Sequence, residues 1–315
     1  MIKLSIIIPI YKVEEYIIEC IESVCCQLVE SVEVILVNDG TPDRSMVIAK
    51  EYINEKYSQY LKQFIFIDQK NQGLSGARNT GLSVSTGKYI TFLDSDDKLQ
   101  ENYFNKILNI ILINDVDVIQ FSALRFDNDG NYSSFLKKSV AAGFCEMNEE
   151  NLVLIFEDSS WFIWLRVYKK ELFHNNLFPI GRNYEDAFLV PMLILESCSI
   201  YYLDEVLIFY RLNMKGITFS KNQKNIEDCQ YVLEDMIDKS KKNSLYKYTV
   251  FNFLVYFLEL SLMTEGFLKS KAKWHKVKVK LKGLRSYKLS LKQQMIYFLG
   301  IYYVCFKRLY WWLKK

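Results

Sequence analysis

Apolar, strand-like runs alternate with helical segments over the first hundred residues, and this alternation constrains the fold more than any other feature. Four runs rich in β-branched and aromatic residues are typical of strands, at residues 4–8, 32–37, 64–67 and 89–93. Segments with apolar residues at helical spacing separate them. Strands joined through helices by short connections predict a mostly parallel α/β sheet with right-handed crossovers.

Polar or aromatic residues follow these strands at the points where the strands end. Tyr11, Asp39 and the loop 68–71 come after the first three runs, and residues 94–97 come after the fourth. The carboxyl ends of parallel strands meet at one edge of a sheet, and ligands bind outside that edge. We therefore expect these side chains to lie together, although they are far apart in sequence.

Three carboxylates stand within four positions in the segment Asp94-Ser95-Asp96-Asp97. Grouped charges of one sign repel, and they persist where a cation or hydrogen-bond donors lie among them. Carboxylate oxygens suit Mg²⁺ or Mn²⁺, and Mg²⁺ is typically held by one or two carboxylates together with substrate phosphates. The alternative is a polar turn in which Asp97 caps the next helix, and the triplet alone does not decide between the two.

Further motifs precede the acidic turn. They are Ser5-Ile6-Ile7-Ile8-Pro9-Ile10-Tyr11, Asn38-Asp39-Gly40-Thr41 and Gly73-Leu74-Ser75-Gly76-Ala77-Arg78-Asn79. In this order and spacing, the set resembles the family 2 glycosyltransferases, bacterial enzymes of the GT-A fold. The resemblance is strong over residues 1–100 and looser to about residue 220. The family often has Asp-Asp-Gly-Ser in place of the second motif, so this chain keeps the Asp usually credited with nucleotide contact.

The resemblance implies a GT-A fold, with a mostly parallel mixed sheet flanked by helices, and a nucleotide-sugar donor such as a UDP-sugar. The residues that it implies in nucleotide binding are Pro9, Tyr11, Asp39, Lys70, Asn71, Arg78, Asp94 and Ser95. It also implies that Asp96 and Asp94 hold Mn²⁺ or Mg²⁺.

Several of these residues have purely structural alternatives. Asp39 could form an Asx turn before Gly40. Tyr11 could close the start of the first helix, Pro9 could shape the same turn, and Lys70 could simply be solvated. Arg78 could neutralise the acidic turn without touching phosphate.

An acidic pair, Glu185-Asp186, stands at the predicted start of a helix over residues 185–196. It matches the pair that family 2 enzymes place at the acceptor site, and the resemblance assigns Asp186 as catalytic base with Glu185 beside it. The dipole of the helix N-terminus would keep Asp186 ionised, as a base must be. The alternative is charge compensation at the helix start.

Two later elements also match the family. Trp164 resembles the centre of a segment that lines the acceptor pocket. Tyr210-Arg211 with Thr218 resembles a later element, from which Arg211 would reach the diphosphate on a mobile loop. A single base without a second carboxylate nucleophile implies one direct displacement, which inverts the anomeric configuration.

The composition is that of a folded protein with one large domain, or a domain and an appendage. The chain has 315 residues, 50% of them apolar. Its 7 Cys form no CxxC pairs and it has only 2 His, which argues against zinc or a His-based triad and favours reduced thiols in the cytoplasm. The motifs predict a GT-A domain over 1–222, divided into a nucleotide-binding half (1–100) and an acceptor half (101–222).

Residues 223–315 are predicted to form a helical, basic and aromatic extension. The stretch 269–288 has no acidic residue, and the apolar run 295–306 is shorter than the ~18–20 residues of a transmembrane helix. We expect peripheral contact with an anionic membrane, on the inner face of the cell membrane. The alternative is a helix packed on the catalytic domain with a solvated basic face. Nucleic-acid binding is not expected, because no recognition motif accompanies the charge.

The sequence therefore predicts an inverting, metal-dependent hexosyltransferase that extends a surface polysaccharide or a lipid-linked glycan. One rival is a sugar-nucleotide nucleotidyltransferase, which needs a Gly-rich basic loop where this chain has Pro9-Ile10-Tyr11-Lys12. The other is a non-catalytic UDP-sugar-binding membrane scaffold, for which replacing Asp186 would change nothing beyond binding. The oligomeric state stays open.

Overall fold

The computed structural model describes residues 2–135, 141–213, 216, 220–286 and 289–313. The chain forms two compact units. Met1–Asn151 and Ser160–Asn213 make up the first, and Leu152–Ser159 and Met214–Lys315 make up the second. All the candidate site residues from Pro9 to Arg211 lie in the first unit.

A single mixed sheet forms the centre of the first unit. Its strands are β1 (Leu4–Ile10), β2 (Val32–Asn38), β3 (Phe64–Asp68), β4 (Tyr89–Phe92), β5 (Lys98–Leu99), β6 (Val118–Phe126), β7 (Tyr132–Ser134), β8 (Gly143–Glu146), β9 (Arg166–Lys169) and β10 (Ser199–Arg211). Within the described residues the order is β3-β2-β1-β4-β9-β6-β10-β5, with β7 beside β6 and β8 beside β10.

The strand directions bring the candidate site residues to one edge of this sheet. β1 is parallel to β2 and β4, and β2 is parallel to β3. β9 is antiparallel to both β4 and β6, and β10 is parallel to β6. The ends of β1, β2, β3, β4, β6 and β10 therefore share an edge with the start of β9.

Helices of the first unit cover the sheet. They are α1 (Ile17–Cys25), α2 (Ser45–Lys56), α3 (Gly73–Val84), α4 (Tyr103–Ile113), α6 (Glu185–Glu196) and the start of α5 (Glu149–Asp158). Helix α3 lies so close to β1 that a Cβ on Gly81 would stand 2.4 Å from Cγ2 of Ile7. Glycine at this position therefore lets α3 approach the strand and fixes the place of Arg78 one turn earlier.

The alternation of strands and helices predicted for the first hundred residues is confirmed, but some boundaries differ. Thr41-Pro42 is typical of a helix start, but helix α2 begins at Ser45. The Thr41 hydroxyl donates to Oδ1 of Asp43, which in turn accepts from the Ser45 backbone N–H. The apolar residues of 161–168 are typical of a single strand, but a 3₁₀ turn at Ile163–Leu165 precedes β9.

The second unit is helical in its described part. Its helices are α7 (Gln223–Ser240), α8 (Tyr246–Glu265), α9 (Phe267–Lys280), α10 (Leu291–Leu299) and α11 (Ile301–Leu313). Buried apolar residues of α7 and α8, such as Val232, Leu254 and Leu258, form its core. The helices that could be searched, all in the described ranges, are too short or too polar to cross a bilayer. The predicted helical extension is thus confirmed, while its role stays a prediction.

Candidate active site

Asp39, at the end of β2, is buried beneath the loop that follows β3. Its Oδ1 accepts hydrogen bonds from Nε2 of Gln69 at 2.7 Å and from the backbone N–H of Gln72 at 2.8 Å. Its backbone carbonyl accepts from Nδ2 of Asn71 at 3.0 Å. The turn before Gly40 is held instead by Asn38, whose Oδ1 accepts from the Thr41 N–H at 2.9 Å. Asp39 therefore orders the 69–72 loop. The Asx turn that was the alternative role for Asp39 is formed by Asn38 instead.

Tyr11 extends the same edge at the end of β1, where its ring is 42% exposed. The following residue, Lys12, has a φ of +55° and donates its N–H to Oγ1 of Thr41 at 2.8 Å. Lys70 is exposed on the neighbouring loop. Pro9 is buried inside β1 and is not brought to the surface of the edge. The edge thus offers an exposed aromatic ring, whereas Pro9 shapes the strand beneath it.

The acidic turn follows β4 and gives each carboxylate different surroundings. The Asp97 N–H donates to the Asp94 carbonyl at 3.0 Å, and Ser95 is buried within the turn. Asp97 is buried, and its Oδ1 accepts from the Arg211 N–H at 2.8 Å. Helix α4 begins after Asn102, which has a φ of +66°. The alternative in which Asp97 caps that helix is therefore wrong.

Arg78, on α3, connects the acidic turn to the start of α6. Its side chain is 1% exposed, and Nη2 donates to Oδ1 of Asp94 at 2.7 Å. Its Nη1 donates to Oε1 of Glu185 at 2.7 Å and to Oδ1 of Asp186 at 2.9 Å. One guanidinium thus holds three carboxylates that the sequence assigned to two different halves of the site. These contacts agree with the alternative that Arg78 neutralises the acidic turn.

Aromatic rings and a neighbouring amide hold Arg78 and α6 in place. The Arg78 guanidinium carbon lies 5.9 Å from the Phe92 ring centroid and 5.4 Å from that of Phe178. Asn79, next on α3, donates to the Phe178 carbonyl at 2.9 Å and accepts from its N–H at 3.0 Å. Tyr184, just before α6, has a φ of +63°, a conformation that is costly for a residue with a Cβ. The chain therefore enters α6 along a fixed path that brings Asp186 to Arg78.

The Asp186 carboxyl is more basic than the helix dipole alone predicts. Burial raises the pKa of Asp186 to about 7, against the opposing effect of Arg78, and the charges of Glu185 and Asp94 raise it further. Its Oδ2 accepts from the Ile163 N–H at 3.1 Å. Burial likewise raises the pKa of Glu185. The helix N-terminus was expected to keep Asp186 ionised, but burial outweighs the dipole and raises the pKa of this carboxyl. A pKa near neutrality suits a general base.

Arg211 supports the acidic turn from the end of β10. It is 4% exposed, its Nε donates to the Asp96 carbonyl at 2.9 Å, and Nη2 lies 3.0 Å from Oε2 of Glu19. Asn213 donates to Oδ2 of Asp96 at 2.9 Å. The expectation that Arg211 lies on a mobile loop is wrong, since it closes a strand. Its contact with a diphosphate stays a prediction, and Thr218, from the same motif, lies outside the described residues.

Trp164 lies just before β9 in an aromatic cluster with Phe135, Phe162 and Tyr210. Its ring stacks on that of Tyr210 with centroids 5.2 Å apart, and it lies 5.6 Å from the Phe135 ring. The Phe162 ring is 5.4 Å away. Trp164 itself is 3% exposed. The backbone N–H of the preceding residue, Ile163, is the one that binds Asp186, so this cluster fixes a contact of the candidate base.

Residues 5–184 match the family described as Glycosyl transferase family 2. The chain belongs to that family. The family was predicted from the motifs at the strand ends, and that prediction is confirmed.

The chain spans only part of the length of the curated relatives that it matches. Glycosyltransferase GlyA of Streptococcus pneumoniae serotype 4 is 31% identical over 232 residues, which cover 69% of this chain and 31% of GlyA. Minor teichoic acid biosynthesis protein GgaB of Bacillus subtilis is 31% identical over 240 residues, which cover 69% of this chain and 26% of GgaB. The matched region of this family 2 chain therefore covers less than a third of the length of either relative.

Two solved structures share the fold of this family 2 chain. S. aureus TarS 1-349 in complex with UDP-GlcNAc has a TM-score of 0.71 at 16% identity, with 90% of this chain and 81% of that chain covered. Mannosyltransferase PcManGT from Pyrobaculum calidifontis, in complex with GDP-Man and Mn²⁺, has a TM-score of 0.57 at 14% identity, with 98% and 87% covered. At these identities the likeness shows the fold alone, and the predicted GT-A fold is confirmed.

The donor chemistry of the acidic turn fits Mn²⁺ or Mg²⁺ held together with substrate phosphates. Burial raises the pKa of Asp96, the hydrogen bond from Asn213 lowers it, and the charge of Asp94 raises it. A cation bound here would therefore stabilise the ionised carboxylates. Oδ2 of Asp97 is buried and accepts no hydrogen bond within the described part of the chain. The described ranges contain no preassembled group of three His, Cys, Asp or Glu ligands. A site that one or two carboxylates share with phosphates needs no such group.

Several residues of this family 2 site are missing from the motif analysis. Gln69 and Gln72 bind Asp39, while Asn213 binds Asp96 and Ile163 binds Asp186. All four contacts are made by an amide side chain or a backbone N–H, neither of which carries a charge. For Gln69 and Gln72 a signal existed, because both lie in the polar loop after β3. For Asn213 and Ile163 the partner is more than twenty residues away, and no local pattern indicates it.

Proposed function

We propose that this chain transfers a sugar from a nucleotide-sugar, most simply a UDP-sugar, to a hydroxyl of a glycan or lipid-linked acceptor in the synthesis of a cell-surface polysaccharide. Family membership supports the transfer reaction. The name of GgaB supports a surface-glycan acceptor, and the UDP-GlcNAc complex of TarS supports a UDP-sugar donor. The proposal rests mainly on the observation that Arg78 binds Asp94 on the donor side and Asp186, the candidate base, at the same time.

The donor would lie along the edge formed by β1, β2 and β4. In this proposal the base of the nucleotide stacks on the exposed Tyr11 ring. Asp39 and the loop that it orders, with Lys70 and Asn71, border the nucleoside. Asp94 and Ser95 adjoin the ribose, and Arg211 approaches the diphosphate from the other side of the turn. A divalent cation held by Asp94 and Asp96 would supply positive charge to the departing diphosphate.

The chemical step needs only one proton acceptor from the protein. Asp186 takes the proton of the acceptor hydroxyl as that oxygen forms its bond to the anomeric carbon. The bond from the anomeric carbon to the diphosphate oxygen breaks at the same time, and its electron pair leaves with the nucleoside diphosphate. Arg78 keeps the Asp186 carboxylate oriented, and Trp164 with its neighbours borders the acceptor side.

Inversion at the anomeric carbon is expected from this arrangement. The first unit presents one base in place for a direct displacement, so the acceptor oxygen attacks opposite the leaving diphosphate. NMR of the product formed from an α-linked donor should show a β linkage. A product that retains the configuration of the donor would exclude the single displacement and require a second nucleophile.

The two rival functions make different demands on the same residues. A nucleotidyltransferase would need a phosphate-cradling loop after β1, but Lys12 here is fixed by its N–H to Thr41 in a loop without glycine. A scaffold that only binds a UDP-sugar would have no use for a carboxyl with a pKa of about 7 next to the donor turn. Sugar transfer therefore accounts for more of the site than either rival.

Replacing Asp96 with alanine should remove the metal-dependent part of donor binding. Thermal unfolding of the wild-type protein can be measured with a series of nucleotide-sugars in the presence of Mn²⁺ or Mg²⁺. The nucleotide-sugar that binds should raise the midpoint of unfolding. At donor concentrations of about 100 times Kd, the gain is ~2.7 kcal/mol. Asp96→Ala should lose most of this gain, because it removes one of the two carboxylates that would hold the cation.

The matched control for this screen is Asp238→Ala, which removes an exposed carboxylate of α7 paired with Lys241. This variant should respond to donor and metal as the wild type does. Stabilisation by donor that is independent of metal in the wild type, or fully retained in Asp96→Ala, would contradict the proposed metal site.

The proposal also covers the division of the chain into functional regions and the location of the protein. We place donor binding mainly in residues 1–100 and acceptor binding mainly in 101–222, with 223–315 as a separate helical region. We further propose that the protein works in the cytoplasm at the inner face of the membrane. The charge and the exposed apolar residues of the last helices support that location.

A further inference from the structure

Helices α10 and α11 each carry an exposed apolar stripe. On α10 it consists of Leu291, Met295 and Phe298, and on α11 of Tyr302, Phe306 and Leu309. In both helices the spacing is i, i+4, i+7, which places the three side chains on one face. Each of the six is at least 41% exposed. We call these two faces together the apolar stripes.

The stripes belong to helices that are already packed through their opposite faces. Ile296 of α10 and both Ile301 and Val304 of α11 are fully buried. Both helices contact α8, and α11 also contacts α9. Within the stripes, the Tyr302 ring contacts that of Phe267 on α9, with centroids 5.7 Å apart. The rest of their exposed apolar area is additional to the faces that fold the second unit.

The junction between the two helices is rigid. Gly300 has a φ of +51°, and a Cβ there would lie 2.1 Å from Cε2 of Trp274 on α9. Nζ of Lys278 lies 5.4 Å from the Trp274 ring and 5.7 Å from that of Tyr297. This packing fixes the chain where α10 ends and α11 begins. The second unit thus holds both stripes on an ordered surface.

The part of the chain that contains these stripes is rich in lysine and arginine and has no acidic residue of its own. From Gly266 to Lys315 there is no Asp or Glu. Lys273, Lys280 and Lys307 pair with glutamates of α7 and α8. The exposed cations of this region also include Lys269, Lys276, Lys282, Lys292 and Arg308. An acidic partner surface with an apolar interior is the chemistry that complements both features.

We propose that the apolar stripes of α10 and α11 bind the surface of a bilayer that contains anionic lipid, with the helices lying in the plane of the interface. Apolar and aromatic side chains would enter the boundary between headgroups and acyl chains, and the cations would meet anionic headgroups. Exposed Tyr310 and Trp312 add ring types that prefer this boundary. The inference deepens the proposed location at the membrane but does not depend on the transfer reaction.

A second copy of the chain would fit the same surface less well. A symmetric contact through α10 and α11 would bring the cations of this region toward those of the partner, because the region has no carboxylates of its own. Like charges across an interface disfavour association. An anionic bilayer removes that repulsion and provides apolar depth for both stripes.

The test is co-sedimentation of the full chain with vesicles. Wild-type protein should bind vesicles of equimolar phosphatidylcholine and phosphatidylglycerol, bind phosphatidylcholine vesicles much more weakly, and lose affinity as salt rises. Phe306→Ser with Leu309→Ser should weaken binding by about tenfold or more, because both side chains then fail to bury apolar area. Lys276→Gln with Arg308→Gln should weaken it by about fivefold per cation, at roughly 1 kcal/mol each.

The matched control is Leu112→Ser with Ile113→Ser on α4, which removes two exposed apolar side chains from the first unit. This variant should bind vesicles as the wild type does. Light scattering without lipid should give the same oligomeric state for every variant, and donor hydrolysis in lipid-free buffer should stay unchanged in Phe306→Ser with Leu309→Ser. Three outcomes would each overturn the proposal: no binding of the wild type to the anionic vesicles, wild-type binding by the stripe variant, or a dimer that the stripe substitutions dissociate.

Discussion

Replacing Asp186 with asparagine should lower the rate of sugar transfer by about 10²- to 10⁴-fold, the range in which a positioned general base contributes. Asparagine has nearly the same shape and can still accept the hydrogen bond from Ile163, but it cannot take the proton of the acceptor hydroxyl. Stabilisation by donor and metal should persist, because the acidic turn is unchanged. The measurement is the transfer rate at saturating donor, beside the thermal shift that donor produces.

The pH dependence of the wild-type rate gives an independent readout of the same carboxyl. A base must be ionised, and burial raises the pKa of Asp186 to about 7. The rate should therefore rise as the pH increases through about 7 and then level off. The residual activity of Asp186→Asn should lack this step, because the amide does not titrate.

Asp117→Asn is the matched control for this substitution. The Asp117 side chain is 17% exposed, close to the 19% of Asp186, and its oxygens bind Lys169 and the Cys198 N–H. Asp117 lies just before β6, at the opposite end of the strand from the site. Asp117→Asn should change the free energy of unfolding but leave the rise of the transfer rate near pH 7 in place. A transfer rate in Asp186→Asn within a few-fold of wild type would exclude Asp186 as the base and favour the binding scaffold.

The elements that the sequence predicts well are those that depend on local patterns. The β-branched runs that became β1, β2 and β4 are continuous and apolar, so burial on both faces is readable from them. Apolar residues recur at regular helical spacing in α4, so this helix too is readable from the sequence. Since parallel strands end at one edge, the convergence of Tyr11, Asp39 and the acidic turn also follows from order and direction.

The features that could not be predicted depend on contacts between distant parts of the chain. Glu185 lies 107 positions from Arg78, and Arg211 lies 114 positions from Asp97. No spacing rule relates such pairs, so Arg211 looked like part of a loop although the pairing with β6 makes it the end of a strand. The raised pKa of Asp186 was missed for the same reason. A helix start predicts a lowered value, and only the fold reveals the burial and the neighbouring carboxylates that reverse it.

Replacing Arg78 with methionine should produce the largest loss of stability of any single substitution considered for this site. Arg78 is buried and neutralises Asp94, Glu185 and Asp186, whose charges together hold the pKa of its guanidinium above the ordinary value despite the opposing effect of burial. Methionine fills much of the same space but leaves the three carboxylates without a counter-charge. Removing one partner of a buried ion pair costs about 3–5 kcal/mol. Urea unfolding monitored by tryptophan fluorescence would measure this loss.

Arg44→Met provides the contrast, because Arg44 forms an exposed pair with Glu51 in which both side chains are 65% exposed. That substitution should change the free energy of unfolding by no more than about 1 kcal/mol. A loss in Arg78→Met as small as this would mean that the three carboxylates are neutralised by something other than the guanidinium.

The loss in Arg78→Met should also depend on pH, with a sign that identifies its cause. Burial already raises the pKa values of Glu185 and Asp186 in the folded state, and the loss of the cation raises them further above their unfolded values near 4. A carboxyl with a raised pKa binds its proton more tightly in the folded state, so stability falls as the pH rises from the unfolded value through the folded one. The deficit relative to wild type should therefore shrink as the pH is lowered from about 8 to about 5. A deficit that stays constant over this range would point to lost packing against Phe92 and Phe178, since those contacts carry no titrating charge.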